Sequence, residues 1–270
     1  LGRGAMGVVY LGLDPKIARR VAIKTLNYRE FDTAQLNVIK ERFFREAEAA
    51  GRLNHPNIVT VYDVGEEADL AFIAMDYVEG KSLDRCVSET ALLPIQEVYE
   101  IIIAVADALA YAHQQNIVHR DIKPGNIMYD QNSGQVKVAD FGIARIVDDS
   151  KTKTGDMLGS PVYMSPEQLK GTRVSGASDI YSLGVTFYQL LTGVLPFSGD
   201  SIANLAYQIL NKKYVSVREL RPELSAGVVR VVNKALQKEP SKRYHSAVEM
   251  ADAVRSLLNR ECRRDNRKAS

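Results

Sequence analysis

A change in hydrophobic periodicity near Pro94 constrains the fold of this chain more than any other feature. Before Pro94, short β-branched runs such as residues 21–23 alternate with turn residues, which is typical of strands, and one helical pattern covers residues 36–50. Residues 58–64 and 70–77 flank the turn-like residues 65–69 and predict a hairpin. After Pro94, apolar residues recur at helical spacing, first along residues 95–112. A small sheet with one helix, followed by a larger helical part, predicts two lobes of one α+β unit.

The bulk composition excludes several classes of protein. A chain of 270 residues that is 46% hydrophobic is long enough for one large domain or two modest lobes. Its 35 basic and 33 acidic residues nearly cancel, so the charge does not point to nucleic acid, and we expect no nucleic-acid partner. The two cysteines, Cys86 and Cys262, do not make a disulfide framework, which favours a reducing, cytoplasmic location.

The two ends of the chain suggest that it was cut from something longer. The chain begins at Leu1 rather than at a methionine, and it carries no signal peptide. Its apolar runs are all shorter than the ~18 residues that a membrane-spanning helix needs. Residues 260–268 are rich in arginine and lysine, and we interpret them as a solvated end or linker rather than a binding patch.

Three glycines, Gly2, Gly4 and Gly7, form a G-x-G-x-x-G pattern that runs into the strand-like residues 8–11. The dinucleotide-binding version of this pattern opens a helix and is followed ~20 residues later by an acidic ribose ligand. Residues 24–27 contain no acid, and the Gly-Lys-Ser/Thr of a Walker loop is absent. What remains is a glycine-rich hairpin whose backbone can close over phosphates, with an ordinary glycine turn as the alternative.

Lys24 follows this hairpin on the next predicted strand. Residues two apart on a strand share a face, so Ala22 can lie against a flat ring while Lys24 places its ammonium near phosphates. On the predicted helix, Glu46 lies about 60° around the axis from Phe43, the centre of the apolar stripe. An acid at the margin of a buried face needs a partner, and Lys24 is the candidate. A surface lysine and a solvated glutamate are the alternatives.

The segment VHRDIKPGN, residues 118–126, places several polar side chains between apolar stretches. Asp121 can accept a hydroxyl proton, Lys123 can stabilise a phosphoryl group, and Asn126 offers an oxygen ligand to a hard metal ion. Phosphoryl transfer needs those three functions, since its catalysis is mostly positioning and charge stabilisation. The proline and glycine before Asn126 break any helix and predict a bent loop. A solvated charge cluster is the alternative.

Asp140 opens the tripeptide Asp-Phe-Gly just after a predicted strand at residues 135–138. A carboxylate at the end of a strand suits Mg²⁺, which prefers one or two carboxylates together with substrate phosphates. Gly142 allows a sharp turn or a hinge at this point. The tripeptide alone is a weak signal, but the order and spacing of all these signals together are not those of chance.

In that order and spacing, the chain resembles the eukaryotic-like (Hanks-type) protein serine/threonine kinase catalytic domain over essentially all its residues. The segments GAMGVVYLG and YMSPEQ look most like bacterial members. The resemblance implies a bilobal protein-kinase fold, with a small antiparallel β-sheet N-lobe that carries one main helix and a larger, mostly helical C-lobe. The implied boundaries are an N-lobe at 1–75, with the start of the first strand missing, a hinge at 76–80, a C-lobe at 81–259 and a basic tail or linker at 260–270.

The resemblance also implies the reaction and the residues that perform it. The expected activity is transfer of the γ-phosphate of ATP, with Mg²⁺ or Mn²⁺, to serine and threonine hydroxyls of proteins. Asp121 would orient or deprotonate the acceptor, Lys123 would steady the γ-phosphate, and Lys24 would contact the α- and β-phosphates while pairing with Glu46. The metal ligands would be Asn126 and Asp140. The implied ATP site consists of Gly2, Gly4, Gly7, Val9, Ala22, Lys24, Met75, Asp76, Val78 and Met128.

Other residues are implied to support or regulate the site. His119 and Phe141 would be core residues rather than chemical ones. Glu167 would pair with Arg243, and Asp179 would support the catalytic loop from below. Arg120 would receive a phosphate from an autophosphorylated activation segment. The candidate threonines in that segment are Thr152 and Thr154, with exposed threonines of no regulatory role as the alternative.

A pseudokinase, which binds nucleotide or partners without catalysis, is the alternative from another functional class. Such proteins usually lose an equivalent of Lys24, Asp121 or Asp140, and this chain keeps all three. Kinases that resemble this one are often cytoplasmic domains tethered to a transmembrane region, and dimerisation through the N-lobe is common among them. We therefore expect protein substrates, a homodimer through the N-lobe, and a cytoplasmic domain of a larger membrane-anchored protein.

Overall fold

The computed structural model describes residues 1–4, 7–31, 33–141 and 161–268, which fold into a small and a large lobe. In chain order, the small lobe consists of β1 (Gly2–Gly4), β2 (Gly7–Asp14), β3 (Arg19–Asn27), α1 (Thr33–Gly51), β4 (Val61–Glu67) and β5 (Leu70–Asp76). The strands form one antiparallel sheet in the order β1-β2-β3-β5-β4. The strand-rich first part with a single long helix, predicted from the sequence, is confirmed.

The small lobe is held together by the contact of α1 with the sheet. Leu26 of β3 is fully buried and packs with Phe43 and Ala47 of α1. Ala71 and Ile73 of β5 complete this cluster. The helical spacing of Phe43 and Ala47 gives α1 one apolar stripe, and the strand alternation gives the sheet one apolar face, so each buries the other.

The large lobe begins with short strands and continues as helices. Its strands are β6 (Lys81–Ser82), β7 (Ile127–Asp130) and β8 (Gln135–Val138), which pair in the order β6-β7-β8. Its helices are α2 (Ile95–Gln114), α3 (Pro166–Leu169), α4 (Gly176–Thr192), α5 (Ile202–Asn211), α6 (Val217–Leu220), α7 (Ala226–Ala235) and α8 (Ala247–Lys268). In the described parts of the chain, no helix has the length and apolar character needed to cross a membrane.

Helix α4 is the centre of the large lobe. Every residue from 178 to 192 is buried, because α2, α7, α8 and the shorter elements surround the helix on all sides. A helix buried all round must be apolar all round, and the polar residues it does contain need partners. Asp179, a buried acid in its first turn, therefore needs hydrogen-bond partners.

The structure corrects the predicted hairpin that began at residue 58. Strand β4 starts only at Val61, and residues 57–59 pair with β8 of the large lobe instead. The Val59 N–H donates to the Val138 carbonyl at 2.9 Å, and the Val138 N–H donates to the Asn57 carbonyl at 2.9 Å. An apolar run does not indicate which strand it will pair with. The prediction from local periodicity therefore started the hairpin too early.

Other differences concern the short elements and the last helix. Helices α3 and α6 have four residues each, too few to show a periodicity, and neither was predicted. The predicted bent loop at the end of VHRDIKPGN contains a 3₁₀ turn at Pro124–Asn126. Helix α8 does not end before residue 260, where we placed the start of a basic tail or linker, but continues to Lys268. Arginine and lysine are good helix formers, so basic residues do not by themselves end a helix.

Candidate active site

The glycine hairpin lies at the edge of the cleft between the lobes, and Gly7 cannot be replaced there without a clash. Gly4 and Gly7 face each other in the β1–β2 pair, and Gly7 has a φ of +147°. A Cβ on Gly7 would lie 1.7 Å from the Thr25 carbonyl oxygen of β3. The hairpin can therefore lie this close to β3 only with glycine at position 7, which is the close backbone approach that a phosphate cover needs.

Strand register places the predicted nucleotide-binding side chains on one face of the sheet. Val9 lies opposite Lys24 in the β2–β3 pair, and Ala22 lies opposite Met75 in the β3–β5 pair. Directly opposed residues, and residues two apart on one strand, point to the same side. Val9, Ala22, Lys24 and Met75 therefore share the face of the sheet that also meets Phe141 of the large lobe, which lines a cavity with Lys24 and Met75.

Lys24 joins the small lobe to Asp140 of the large lobe. The Lys24 Nζ lies 2.9 Å from the Asp140 Oδ1, the lysine is almost fully buried, and the Asp140 side chain is 32% exposed. Burial alone would raise the pKa of Asp140, but the Lys24 ammonium outweighs it and holds that pKa below its ordinary value. Asp140 is thus an anion at neutral pH. The side chain of Glu46, the predicted partner of Lys24, lies outside the described residues.

Asp121, Lys123 and Asn126 meet around one carboxylate oxygen. The Lys123 Nζ lies 2.6 Å from the Asp121 Oδ2, and the Asn126 Nδ2 donates to the same oxygen at 3.0 Å. The Asn126 Nδ2 also donates to the Asp121 carbonyl at 2.7 Å. These bonds engage Oδ2, so Oδ1 is the oxygen that can accept the proton of a hydroxyl. The three residues predicted to share one reaction are in direct contact.

The backbone of this loop is held from below by Asp179. Its Oδ1 accepts from the Arg120 N–H at 2.7 Å, and its Oδ2 accepts from the His119 N–H at 2.9 Å and bonds the His113 Nε2 at 2.8 Å. Arg120 has a φ of +69°, a backbone conformation that residues other than glycine rarely adopt. The predicted support of the catalytic loop by Asp179 is confirmed.

His119 and Phe141 are core residues, as predicted. Both are almost completely buried, and their ring centroids lie 4.6 Å apart in an edge-to-face arrangement. The His119 Nε2 lies 2.9 Å from the Ala139 carbonyl, which links the catalytic loop to the backbone just before Asp140. The imidazole thus packs against Phe141 and contacts the backbone carbonyl before Asp140, as expected of a core residue.

Glu167 and Arg243 form the predicted ion pair, and it is buried. The Arg243 Nη1 and Nη2 contact the two carboxylate oxygens at 2.6 and 2.7 Å, and the Ser178 hydroxyl donates to the Glu167 Oε1 at 2.6 Å. Arg243 is 1% exposed and also donates to the Ala177 carbonyl at 2.8 Å. Both charges are thus paired, and the pair joins α3 to α4 and to the segment before α8.

Of the residues predicted to form the hinge and adenine site, Met75 lines a small cavity. A space of about 30 Å³ lies behind Met75 and is lined by apolar side chains of α1, β4 and β5 together with Lys24, Asp140 and Phe141. Val78 is buried just after β5. Met128 lies on β7, opposite Ser82 of β6 and Lys137 of β8.

Asp76 has a structural role that the sequence reasoning missed. Its Oδ2 accepts from the Thr60 N–H at 3.1 Å and from the Lys137 Nζ at 2.7 Å, and the Tyr62 hydroxyl donates to its Oδ1. Burial would raise the pKa of Asp76, but these bonds, that of Lys137 first, hold the pKa below its ordinary value. The carboxylate therefore joins β5, the start of β4 and β8. Asp76 and Lys137 are 61 positions apart, and no local pattern marks them as partners.

A divalent cation fits the donor set between the lobes. The Asp140 carboxylate is partly exposed and ionised, and the Asn126 Nδ2 is committed to Asp121, which leaves the amide oxygen as a ligand. One carboxylate with one amide oxygen, completed by phosphates and water, is the kind of donor set that Mg²⁺ takes.

Thr152 and Thr154 lie outside the described residues, so the structure does not place them relative to Arg120.

Two lobes, a glycine hairpin, the Asp121–Lys123–Asn126 group and the Lys24–Asp140 pair are together the arrangement typical of phosphoryl-transfer domains of the bilobal type. The sequence matches the family model of the protein kinase domain over residues 1–255. The chain belongs to the protein kinase domain family. The resemblance stated from the motifs alone is confirmed.

The relatives agree with this family membership. Serine/threonine-protein kinase PrkC of Bacillus subtilis is 41% identical over 260 residues, which cover 96% of this chain and 40% of that protein. Serine/threonine-protein kinase PknB of Mycobacterium tuberculosis is 43% identical over 263 residues, covering 94% of this chain and 41% of that protein. The chain thus spans about two-fifths of the length of these curated relatives.

A solved structure shares the fold. The crystal structure of Rad53 1-466 in complex with AMP-PNP matches with a TM-score of 0.77 at 26% sequence identity. The match covers 94% of this chain and 62% of that chain. The predicted fold class, a small antiparallel sheet lobe with a larger helical lobe, is confirmed.

Proposed function

We propose that this chain transfers the γ-phosphate of ATP to serine and threonine hydroxyls of proteins. The observation that carries the proposal is that Lys123 and Asn126 both contact one carboxylate oxygen of Asp121, while Lys24 of the small lobe bonds Asp140 of the large lobe. A pseudokinase is not favoured, because Lys24, Asp121 and Asp140, whose equivalents such proteins usually lose, are all present.

Each side chain has a distinct part in the proposed reaction. Asp121 accepts the proton of the acceptor hydroxyl or orients that hydroxyl, and Lys123 stabilises the transferred phosphoryl group. Lys24 holds the α- and β-phosphates under the glycine hairpin, and Asn126 and Asp140 hold Mg²⁺, for which Mn²⁺ can substitute. When bound, the cation neutralises charge on the phosphates. Glu46 is proposed to pair with Lys24.

One assay tests the proposed function. The chain is incubated with radiolabelled ATP and Mg²⁺, in parallel with a generic protein substrate and with a mixture of small metabolites. We expect label on serine and threonine of the protein and none on the metabolites. Label on metabolites only would indicate a small-molecule kinase, and no transfer from a chain that binds ATP would indicate a pseudokinase.

Autophosphorylation in the activation segment is a second expectation. We propose that Thr152 or Thr154 becomes phosphorylated and that the phosphate bonds to Arg120, since a phosphate makes strong charge-assisted bonds to a guanidinium. Mass spectrometry after incubation with Mg-ATP should find phosphate on one or both threonines, and the double change to alanine should lower protein kinase activity. An active enzyme without phosphate at either threonine contradicts the proposal.

The setting of this domain in the whole protein is also a proposal. Because the chain spans about two-fifths of its curated relatives, we propose that it is the cytoplasmic kinase domain of a larger membrane-anchored protein. Membrane fractionation of the full-length protein tests this, and a fully soluble full-length protein would contradict it.

We further propose a homodimer through the N-lobe, supported by the exposed side chain of Tyr10, which lies on the face of the sheet opposite to Val9 and Ala22, and by the exposed Ile17. Sedimentation of the wild type and of Tyr10→Asp tests it. A wild type that is monomeric at high concentration contradicts it.

A further inference from the structure

Gln168 of α3 donates a hydrogen bond to the backbone of the catalytic loop. Its Nε2 lies 2.8 Å from the carbonyl oxygen of Arg120, 48 positions earlier in the chain. The Arg120 N–H is bonded to the Asp179 carboxylate at 2.7 Å. Both polar groups of this one residue's backbone are therefore fixed by side chains from two different helices.

The amide of Gln168 is itself held in one orientation. Its Oε1 accepts from the Ser165 N–H at 2.9 Å and from the Ser165 hydroxyl at 3.0 Å, which completes the capping box of α3. With the oxygen committed to Ser165, the NH₂ group must point toward Arg120. Ser165 is fully buried, so this arrangement is shielded from water, which would otherwise compete for the bonds.

The conformation of Arg120 explains why it needs this support. A φ of +69° is unfavourable for a residue with a side chain, and such a conformation persists only where the surroundings determine it from several sides. Asp121 is the next residue, so any rotation about the Arg120 backbone displaces the Asp121 carboxylate. A displacement of ~1 Å at a reacting group can lower the rate about 100-fold.

We propose that Gln168 is a positioning residue for phosphoryl transfer: its carboxamide fixes the Arg120 peptide and thereby the direction from which Asp121 meets the acceptor hydroxyl. This inference rests on the proposed function. Helix α3 directly follows the turn at Pro161–Tyr163, which is bound to α4 because the Ser182 hydroxyl donates to the Tyr163 carbonyl at 2.8 Å. The Gln168 side chain thus links the segment that begins at this turn to the catalytic loop.

The substitution Gln168→Glu separates the two tasks of this side chain. Glutamate keeps an oxygen for the Ser165 N–H and hydroxyl, and it is an ordinary capping-box residue, so α3 retains its cap. It loses the donor to Arg120 and places an oxygen against the Arg120 carbonyl instead. We expect kcat to fall by about 10- to 100-fold. We expect the KM for ATP to stay within about twofold, because within the described part of the chain the side-chain bonds of Gln168 all lead to the large lobe.

A matched control removes a helix cap far from the catalytic loop. The Ser225 hydroxyl caps α7 by accepting from the Val228 N–H at 3.4 Å. Ser225→Ala should lower the melting temperature by about 2–4 °C and leave kcat unchanged. If Gln168→Glu does not fold, Gln168→Ala, which removes the donor without adding charge, is compared with Ser225→Ala well below both melting temperatures.

A failure of the inference about Gln168 can be distinguished from a failure of the proposed function. Wild-type chain that transfers no phosphate to protein overturns the proposed function and this inference with it. An active wild type with a Gln168→Glu variant of equal kcat overturns this inference alone. So does a loss of kcat that Ser225→Ala reproduces, because the effect would then follow from lowered stability. A selective loss of kcat in Gln168→Glu, with KM for ATP and melting temperature retained, supports it.

Discussion

Replacing Asp121 with asparagine is expected to lower kcat for protein phosphorylation by about 100- to 10,000-fold, the usual contribution of a positioned proton acceptor. Asparagine preserves the shape of the side chain, and its amide can still contact Lys123. It cannot take a proton from a hydroxyl. The Kd for Mg-ATP, measured by titration calorimetry, should change by less than about twofold, because Asp121 is proposed to act on the acceptor and is not among the small-lobe side chains proposed to bind the nucleotide.

A variant that loses one carboxylate elsewhere is the control for this experiment. Asp252 lies on the surface of α8, where its side chain is mostly exposed and contacts Arg255 of the same helix. Asp252→Asn should have wild-type kcat and wild-type Kd for ATP. If Asp121→Asn retained the wild-type rate, the role proposed for Asp121 would be wrong, even if the chain phosphorylates proteins by another route.

Replacing Arg243 with alanine is expected to lower the free energy of unfolding by about 3–5 kcal/mol, the cost of leaving one charge of a buried pair without its partner. Among the described residues, the Glu167 carboxylate would keep only the Ser178 hydroxyl as a side-chain donor, and the carbonyls that Arg243 bonds would lose a donor too. Urea unfolding of the two proteins measures the difference. Lys242→Ala is the matched control, since Lys242 pairs with Glu239 at the surface and should contribute no more than about 1 kcal/mol.

The difference in free energy of unfolding between the wild type and Arg243→Ala is expected to depend on pH. Burial alone would raise the pKa of Glu167, but hydrogen bonds from Arg243 and Ser178 hold the pKa below its ordinary value of 4.5. In the wild type, the stability contributed by the pair is therefore present above pH 4.5 and is lost as the pH falls through the depressed pKa. In Arg243→Ala, burial without a partner cation favours the neutral acid. The difference between the two proteins should shrink as the pH falls, and a constant difference would contradict a role for the charge.

Local periodicity predicted the elements that carry a long or regular apolar pattern. Strand β8 was predicted at its observed bounds, and α2 within two residues, because each buries one clear face. The pairing of Glu167 with Arg243 came from the resemblance to protein kinases, since nothing in either local segment indicates the other.

The residues that the sequence reasoning missed act through long-range side-chain contacts. Asp76 was predicted only as a residue of the ATP site, yet its carboxylate bonds Lys137. Gln168 ends the segment YMSPEQ, which was used only as a sign of the family resemblance, yet its amide bonds Arg120. An amide or carboxylate in a sequence does not identify its partner, because partners 48 or 61 positions apart meet only in the folded chain.

The Asp76 junction determines where the two lobes can rotate against each other. β8 is bonded to residues 57–59 and to Asp76, so we expect this line of contacts to resist separation of the lobes. A few residues later, Gly80 lies so close to β7 that a Cβ would fall 2.2 Å from the Tyr129 carbonyl oxygen. If the lobes move apart, we therefore expect the backbone rotation to occur at residues 77–79, between these two fixed points.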